Sequence, residues 1–289
     1  MDNVWSGLIQ GCMTLYASRK LRFHDRFKAR FLPLFALEDK PLRLLEIGCG
    51  PGALAETLHR WYPQAEIIGL DRDRDFLRFA REHVPGVEFL EGDATALPFP
   101  ENSFDAVISN TVQEHVEPSA FFGQQLRVLR PGGVCLVLSS RRGLHVTAPC
   151  LEWNDEEKRF WGKTMELDDS MEKYGVGRYA MSEAELPAAM AKYGFRDVRT
   201  GYALADLTPD DPGVSPDLAR EIILSGKYND LEALDSTVRT IGDRFTAEER
   251  ELIRSRIEEK YALRLEQHDR GEKQWDTSVS LVMVLRGIK

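Results

Sequence analysis

Leu44-Leu45-Glu46-Ile47-Gly48-Cys49-Gly50-Pro51-Gly52 is the stretch that decides the fold. An apolar run ends in glycines at alternate positions, and helical spacing resumes from Leu54 to Trp61. Glycine suits this place because the chain must turn sharply from strand to helix and let a ligand approach without a Cβ in the way. A dinucleotide site prefers G-x-G-x-x-G, with the pyrophosphate on the helix N-terminus. Here the spacing is G-x-G-x-G and Glu46 stands just before the loop. A carboxylate so close repels a pyrophosphate and suits a cationic ligand.

Outward from this loop the pattern alternates. Apolar runs at Glu66–Asp71, Val87–Asp93, Phe104–Asn110 and Val134–Ser140 are separated by the helical stretches around Phe76–Ala80 and Ser119–Leu129. Short apolar strands divided by helices predict a parallel sheet covered on both faces, hence an α/β, doubly wound fold. Two more strands are expected, from Phe195 to about Leu207 and from Ser278 to Arg286. Ser182 with Glu185 makes a capping box for a helix reaching about Gly194. Between the last two strands, Ser215-Pro216 reads as an N-cap with proline at the first helical position, and Thr246 with Glu249 as a second capping box. Residues 209–276 are therefore expected to be a helical insertion.

The 289 residues carry 38 Lys+Arg against 47 Asp+Glu, a formal charge of −9, which argues against a general nucleic-acid binder. No apolar stretch is long enough to span a bilayer, and the start MDNVWSGLIQGC lacks the features of a secretory signal, so a cytoplasmic protein is the expectation. Cys12, Cys49, Cys135 and Cys150 show no CxxC spacing, against a zinc site or disulfide framework, and no metal is expected. Residues 1–40 read as a separate helical cover with Phe23, Phe27 and Phe31 at four-residue intervals among Arg and Lys. Covering the cofactor site is the favoured role for that stripe, ahead of a membrane surface or RNA. The main domain is expected over 41–208 and 277–289, with a cover segment at 141–181.

Two further acids define the ligand. Asp71 ends the second strand, where a carboxylate can accept both hydroxyls of a ribose, and Asp93 ends the third, where it can accept from an adenine amino group. Carboxyl ends of adjacent parallel strands form the usual ligand crevice of such a sheet. An adenine, a free ribose, a positive charge and no phosphate describe S-adenosylmethionine. The same segments resemble the class I S-adenosylmethionine-dependent methyltransferases of the type 11 branch. LEIGCGPG (45–52) is similar to their first motif and GLD (69–71) to their ribose acid. EGDATALPFPENSFDAVISN (91–110) is similar to their third-to-fourth-strand segment, and LRVLRPGGVCLVLS (126–139) to the turn into their fifth strand. The resemblance implies a seven-stranded, mostly parallel sheet of order 3-2-1-4-5-7-6, with the last strand antiparallel.

It also implies a cofactor set of Glu46, Gly48, Cys49, Gly50, Gly52, Asp71, Arg72, Asp93, Ala94, Asn110 and Thr111, with S-adenosylhomocysteine as product. Gln113 is expected beside Asn110 and Thr111 near the transferable methyl. His115 is the candidate general base, against the simpler reading of a histidine that positions the fourth-strand loop. His145, Arg178 and Tyr179 are candidate substrate contacts. Trp153 and Trp161, eight apart on an expected helix, could share one face in the core or line an acceptor pocket. Asn110-Thr111-Val112-Gln113 departs from the Asn/Asp-Pro-Pro-aromatic motif of amino-methylating DNA enzymes, so no DNA partner is expected. A small-molecule acceptor leads, with RNA or protein behind it. A non-catalytic cofactor-binding module is the alternative of another class, and a nicotinamide dehydrogenase is disfavoured by the glycine spacing. The insertion is open to two roles, active-site cover and homodimer contact.

Overall fold

The computed structural model describes residues 5–164 and 175–289. Residues 1–4 of the expected N-terminal cover and 165–174 of the expected cover segment lie outside the described residues.

The core sheet contains β1 (Arg43–Ile47), β2 (Glu66–Asp71), β3 (Glu88–Glu91), β4 (Phe104–Asn110), β5 (Leu129–Val146), β6 (Arg196–Leu207) and β7 (Thr277–Ile288). Their order is β3-β2-β1-β4-β5-β7-β6, as the resemblance implied. β1 to β5 run parallel, while β7 lies antiparallel between β5 and β6. In β1 every residue from Leu44 to Ile47 is buried, because helices cover both faces, so the strand reads as a continuous apolar run rather than an alternating one. Glu46 is the exception in that run, and it is 2% exposed.

Helices α3 (Ala53–Trp61), α4 (Arg74–His83), α5 (Pro118–Val128) and α7 (Glu185–Lys192) sit beside these strands. Their starts are chemically marked. Asp73 caps α4 by accepting from the amides of Asp75 and Phe76, and Glu117 caps α5 ahead of Pro118. Ser182 and Glu185 exchange the expected bonds, Glu185 N to Ser182 Oγ at 3.2 Å and Ser182 N to Glu185 Oε2 at 2.9 Å, although α7 itself begins only at Glu185.

Three expectations change in detail. First, β5 runs from Leu129 to Val146 instead of stopping at Ser140, because β7 continues beside it and pairs His145 with Ser278. Second, the phenylalanine stripe does not lie on one helix. α1 (Cys12–Arg22) ends at Phe23, His24 turns the chain by accepting from the Arg26 amide, and α2 (Lys28–Phe35) follows. Phe23, Phe27, Phe31 and Phe35 nevertheless converge, all fully buried, and Phe31 and Phe35 meet Trp61 at 6.0 and 6.3 Å between ring centroids. Third, Trp153 and Trp161 are not on one helix. Asn154 caps α6 (Asp155–Gly162) with a full capping box, leaving Trp153 outside; the two indoles still stack at 5.8 Å.

Residues 209–276 hold two long helices, α8 (Pro216–Ile241) and α9 (Ala247–Asp269), started by the expected Ser215 cap and Thr246–Glu249 capping box. Ile223, Leu234, Phe245, Ile253, Ile257 and Tyr261 join Phe160 of α6 in an apolar cluster of their own. At its foot the fully buried Arg264 is held by Asp210 (2.9 Å) and Asp276 (2.6 Å), clamping both ends of the insertion to the return strand. α8 packs against α1, so the insertion backs the N-terminal segment.

Candidate functional site

A cavity of about 360 Å³ opens where the carboxyl ends of β1, β2, β3 and β4 meet, within the roughly 300–1,000 Å³ typical of small-molecule sites. Its floor is the glycine loop. Gly48 has φ +65°, and a Cβ there would stand 2.4 Å from Val112 Cγ2, so no other residue fits without moving the β4 loop. Gly50 donates its amide to Asp71 Oδ2 at 2.8 Å, tying the loop to the end of β2. Gly52, at φ +88°, starts α3 but does not line the cavity; a Cβ there would meet Phe89 at 2.9 Å, so its role is packing.

The other residues expected at the cofactor do come together. Glu46, Gly48, Cys49, Gly50, Asp71, Arg72, Asp93, Ala94, Asn110 and Thr111 all line the cavity. Asp71 takes one backbone amide on each oxygen, from Gly50 at 2.8 Å and from Asp73 at 2.9 Å. Each oxygen keeps a further lone pair, so the carboxylate is fixed in place and can still accept two hydroxyls. Burial raises its pKa, against the pull of those amides. Asp93 accepts from the amide and hydroxyl of Thr95, both at 2.7 Å through Oδ1, and is exposed.

Glu46 and Asn110 hold the strongest clue. Glu46 Oε2 and Asn110 Oδ1 are sealed from solvent and have no hydrogen-bond partner. Burial, reinforced by the nearby Asp71 carboxylate, pushes the Glu46 pKa well above the usual 4.5. Buried acceptors are nearly always satisfied, so two orphans facing one cavity mark the place of a donor. Next to them Thr111, a β-branched residue, holds φ +54° while its amide bonds Leu138 O at 2.9 Å. Strain of this kind concentrates at functional sites. A ligand with an ammonium and a ribose matches the donor and acceptor set: Glu46 and Asn110 for the cation, Asp71 for the hydroxyls, and the Asp93–Ala94 turn for a base.

His115 also lines the cavity, but its bonding does not suit a general base. Its Nδ1 accepts the Gly177 amide at 2.9 Å, so the neutral ring carries its proton on Nε2 and has no free lone pair to offer. Burial and the Arg72 charge lower its pKa to about 4. Its ring lies 4.6 Å from Trp5. The arrangement is that of a positioning histidine for the fourth-strand loop. Gln113 is buried and donates to Tyr179 O at 3.0 Å, and Tyr179 N returns a bond to Glu114 O at 2.9 Å. Tyr179 therefore braces the β4 loop, and neither it nor Arg178 is among the cavity residues. His145 lies on the exposed extension of β5 and does not line the cavity either. That extension had no sequence mark of its own.

The N-terminal segment contributes what sequence reasoning missed: Trp5, Gln10, Leu15 and Arg19 line the cavity. Ser6 fastens this segment to Asp73, two residues beyond the ribose acid, through its amide and hydroxyl, each at 2.9 Å. Only the i, i+4 spacing of Leu15 and Arg19 hints at a shared face in the sequence.

Residues 45–137 match a family described as the methyltransferase domain. This part of the chain is a methyltransferase domain. The chain is 43% identical over 103 residues to the fatty-acid O-methyltransferase of Mycolicibacterium smegmatis, covering 34% of this chain and 37% of that protein. It is 40% identical over 118 residues to the demethylmenaquinone methyltransferase of Thermus thermophilus, covering 39% of this chain and 53% of that one. The chain thus spans between about a third and a half of the length of these relatives. Among solved structures, phosphoethanolamine N-methyltransferase 2 of Haemonchus contortus in complex with S-adenosyl-L-methionine matches with a TM-score of 0.54 at 18% identity. That match covers 100% of this methyltransferase-domain chain and 60% of the other chain. It is a likeness of fold.

Proposed function

We propose that this methyltransferase-domain protein transfers the methyl group of S-adenosylmethionine to a small-molecule acceptor by in-line displacement. One observation carries the reading. The cavity couples an uncompensated buried acid, Glu46, to a fixed ribose acid, Asp71, at the carboxyl ends of neighbouring strands. When bound, the cofactor supplies a sulfonium-activated methyl and leaves as a neutral thioether. The chain's own task is then to align the acceptor and exclude water. Asn110 and Thr111 hold the methionine end, and the strained Thr111 backbone sets the angle at which the β4 loop meets the acceptor. Leu15 and Trp5 add apolar wall to the cavity, which limits the water that can share it with the ligands. No acid or base is required for an acceptor that is already nucleophilic, which agrees with a His115 whose lone pair is engaged. The relatives' names, fatty-acid O-methyltransferase and demethylmenaquinone methyltransferase, support an acceptor of low molecular weight.

The test is transfer of radiolabelled methyl from S-adenosylmethionine into size-fractionated cell extract. Label in the small-molecule fraction, lost with Asp71→Ala, supports the proposal. Label confined to RNA or protein overturns the acceptor class, and no label in any fraction favours a module that binds without turnover.

A further inference from the structure

The stacked pair of Trp153 and Trp161 takes no part in the cofactor cavity and lines a second one. That cavity, of about 250 Å³, is walled by α6, α8 and α9. Among the described residues, none lines both cavities. It falls just below the roughly 300–1,000 Å³ of drug-sized sites, so it suits a compact ligand. Trp153 precedes α6 and is 53% exposed, yet its ring is held at 20° to that of Trp161. A fixed, exposed indole offers a ligand a ready surface.

The charges of this cavity fall into a closed set and an open one. Glu157, 2% exposed, accepts from Lys260 Nζ on both oxygens, at 2.6 and 2.5 Å, and from the Asn154 amide at 2.9 Å. Lys260 also donates to Glu152 O at 2.6 Å. An ammonium has three donors, so Lys260 has none left for an anion. Asp230, on α8, is open. Its Oδ2 accepts from the Tyr261 hydroxyl at 2.9 Å, while Oδ1 has no bond among the described residues. Of the cations acting on Asp230, Lys260 is engaged by Glu157, and His145 acts from the β5 extension without bonding it. The lining charges therefore leave one negative unit uncompensated.

A carboxylate with a free oxygen beside stacked indoles is a recognition chemistry for organic cations. Ring faces attract positive charge, and the carboxylate accepts a charged N–H bond. We infer that this cavity binds a small organic ammonium, with Asp230 as its counter-ion and the Trp153–Trp161 pair as its wall. The inference is independent of the methyl-transfer reading, because the two cavities share no residue. Two sources carry the chemistry. A primary amine would donate to Asp230 Oδ1, whereas a quaternary ammonium has no N–H and would rely on the indoles.

The indole N–H signals of Trp153 and Trp161 in proton–nitrogen correlation spectra report on the site directly. The probes are n-butylammonium, tetramethylammonium and, as an anionic control, butyrate. At least one of the two cations should shift both signals saturably. Preference for butylammonium identifies the primary amine as the source, and preference for tetramethylammonium the quaternary one. Butyrate should bind at least about tenfold more weakly, because it meets Asp230 instead of bonding to it. Asp230→Asn, which keeps an acceptor for Tyr261, should weaken the preferred cation about tenfold. Trp153→Leu, at an exposed position, should weaken it about 3- to 30-fold, read on Trp161.

No shift with either cation at roughly 10 mM, where even a millimolar site is nearly filled, overturns the inference. Butyrate binding as tight as that of the cations overturns it too, by showing an apolar cleft without charge preference. Unchanged cation affinity in either variant does the same, since the site needs both the acid and the indole. Should Asp230→Asn fail to fold, Trp153→Leu and the butyrate comparison still decide the matter.

Discussion

At the residue scale, Glu46 concentrates the argument. Its pKa lies above the usual 4.5 in the folded chain, so as pH rises past 4.5 the unfolded chain ionises first and the folded state loses stability until Glu46 itself ionises. Glu46→Gln removes that penalty. It should melt at a higher temperature than wild type at pH 7, by thermal denaturation of the free protein, while binding S-adenosylhomocysteine at least about tenfold more weakly for want of the charged bond. A variant that loses stability and keeps affinity would show that Glu46 is merely structural. His115 supplies the opposite sign. Its folded pKa of about 4 lies below the usual 6.5, so its contribution to stability is present above 6.5 and is lost as pH falls towards 4. Replacing it with Gln should flatten the acid limb of the stability profile. In the wild type, the pH dependence of kcat should show no ionisation near 6.5. An ascending limb near 6.5 that vanishes with His115→Gln would restore the histidine as a base.

At the scale of elements, much of the fold was legible because its chemistry is local. Gly48 needs its positive φ, Ser215-Pro216 and Thr246–Glu249 are capping signals, and β1, β2 and β4 are short apolar runs with turn residues on either side. The parts that were not legible depend on partners distant in sequence. Nothing in residues 141–146 says that β7 will extend beside them. The break between α1 and α2 follows from a His24 side chain that turns back to the Arg26 amide, while the four-residue phenylalanine spacing continues straight through it. That stripe stabilises the element strongly: Phe31→Ala, at a fully buried ring, should cost about 3–5 kcal/mol in denaturant unfolding. Arg264→Leu leaves Asp210 buried and unpaired by its guanidinium, and should cost a further about 3–5 kcal/mol. Cofactor binding by that variant should survive, since the clamp lies at the foot of the insertion. A loss below about 1 kcal/mol would mean that the amides of Gln274 and Trp275, which also bond Asp210, compensate it without Arg264.

At the scale of the whole molecule, the cofactor acids and an N-terminal cover were visible in the sequence, while the residues that cover the site were not: they precede the phenylalanine stripe, which packs in the core. A glycine loop and strand-end acids recur at fixed points of the sheet, whereas Trp5, Leu15 and Arg19 reach the cavity only because Ser6 is fastened to Asp73 and α8 supports α1. Ser6→Ala should leave the fold intact and weaken S-adenosylhomocysteine a few-fold, seen as faster dissociation in stopped flow, because the cover is released at one end. An unchanged dissociation rate would detach the cover from the site. The central claim, that the acids at the carboxyl ends of β1 and β2 hold S-adenosylmethionine, is tested most directly by calorimetric titration of wild type and Asp71→Ala with S-adenosylmethionine. Micromolar binding, about −8 kcal/mol, reduced at least tenfold in the folded variant by loss of two hydroxyl bonds, is the predicted result. Equal affinity in the two proteins, or no binding by wild type, would contradict it.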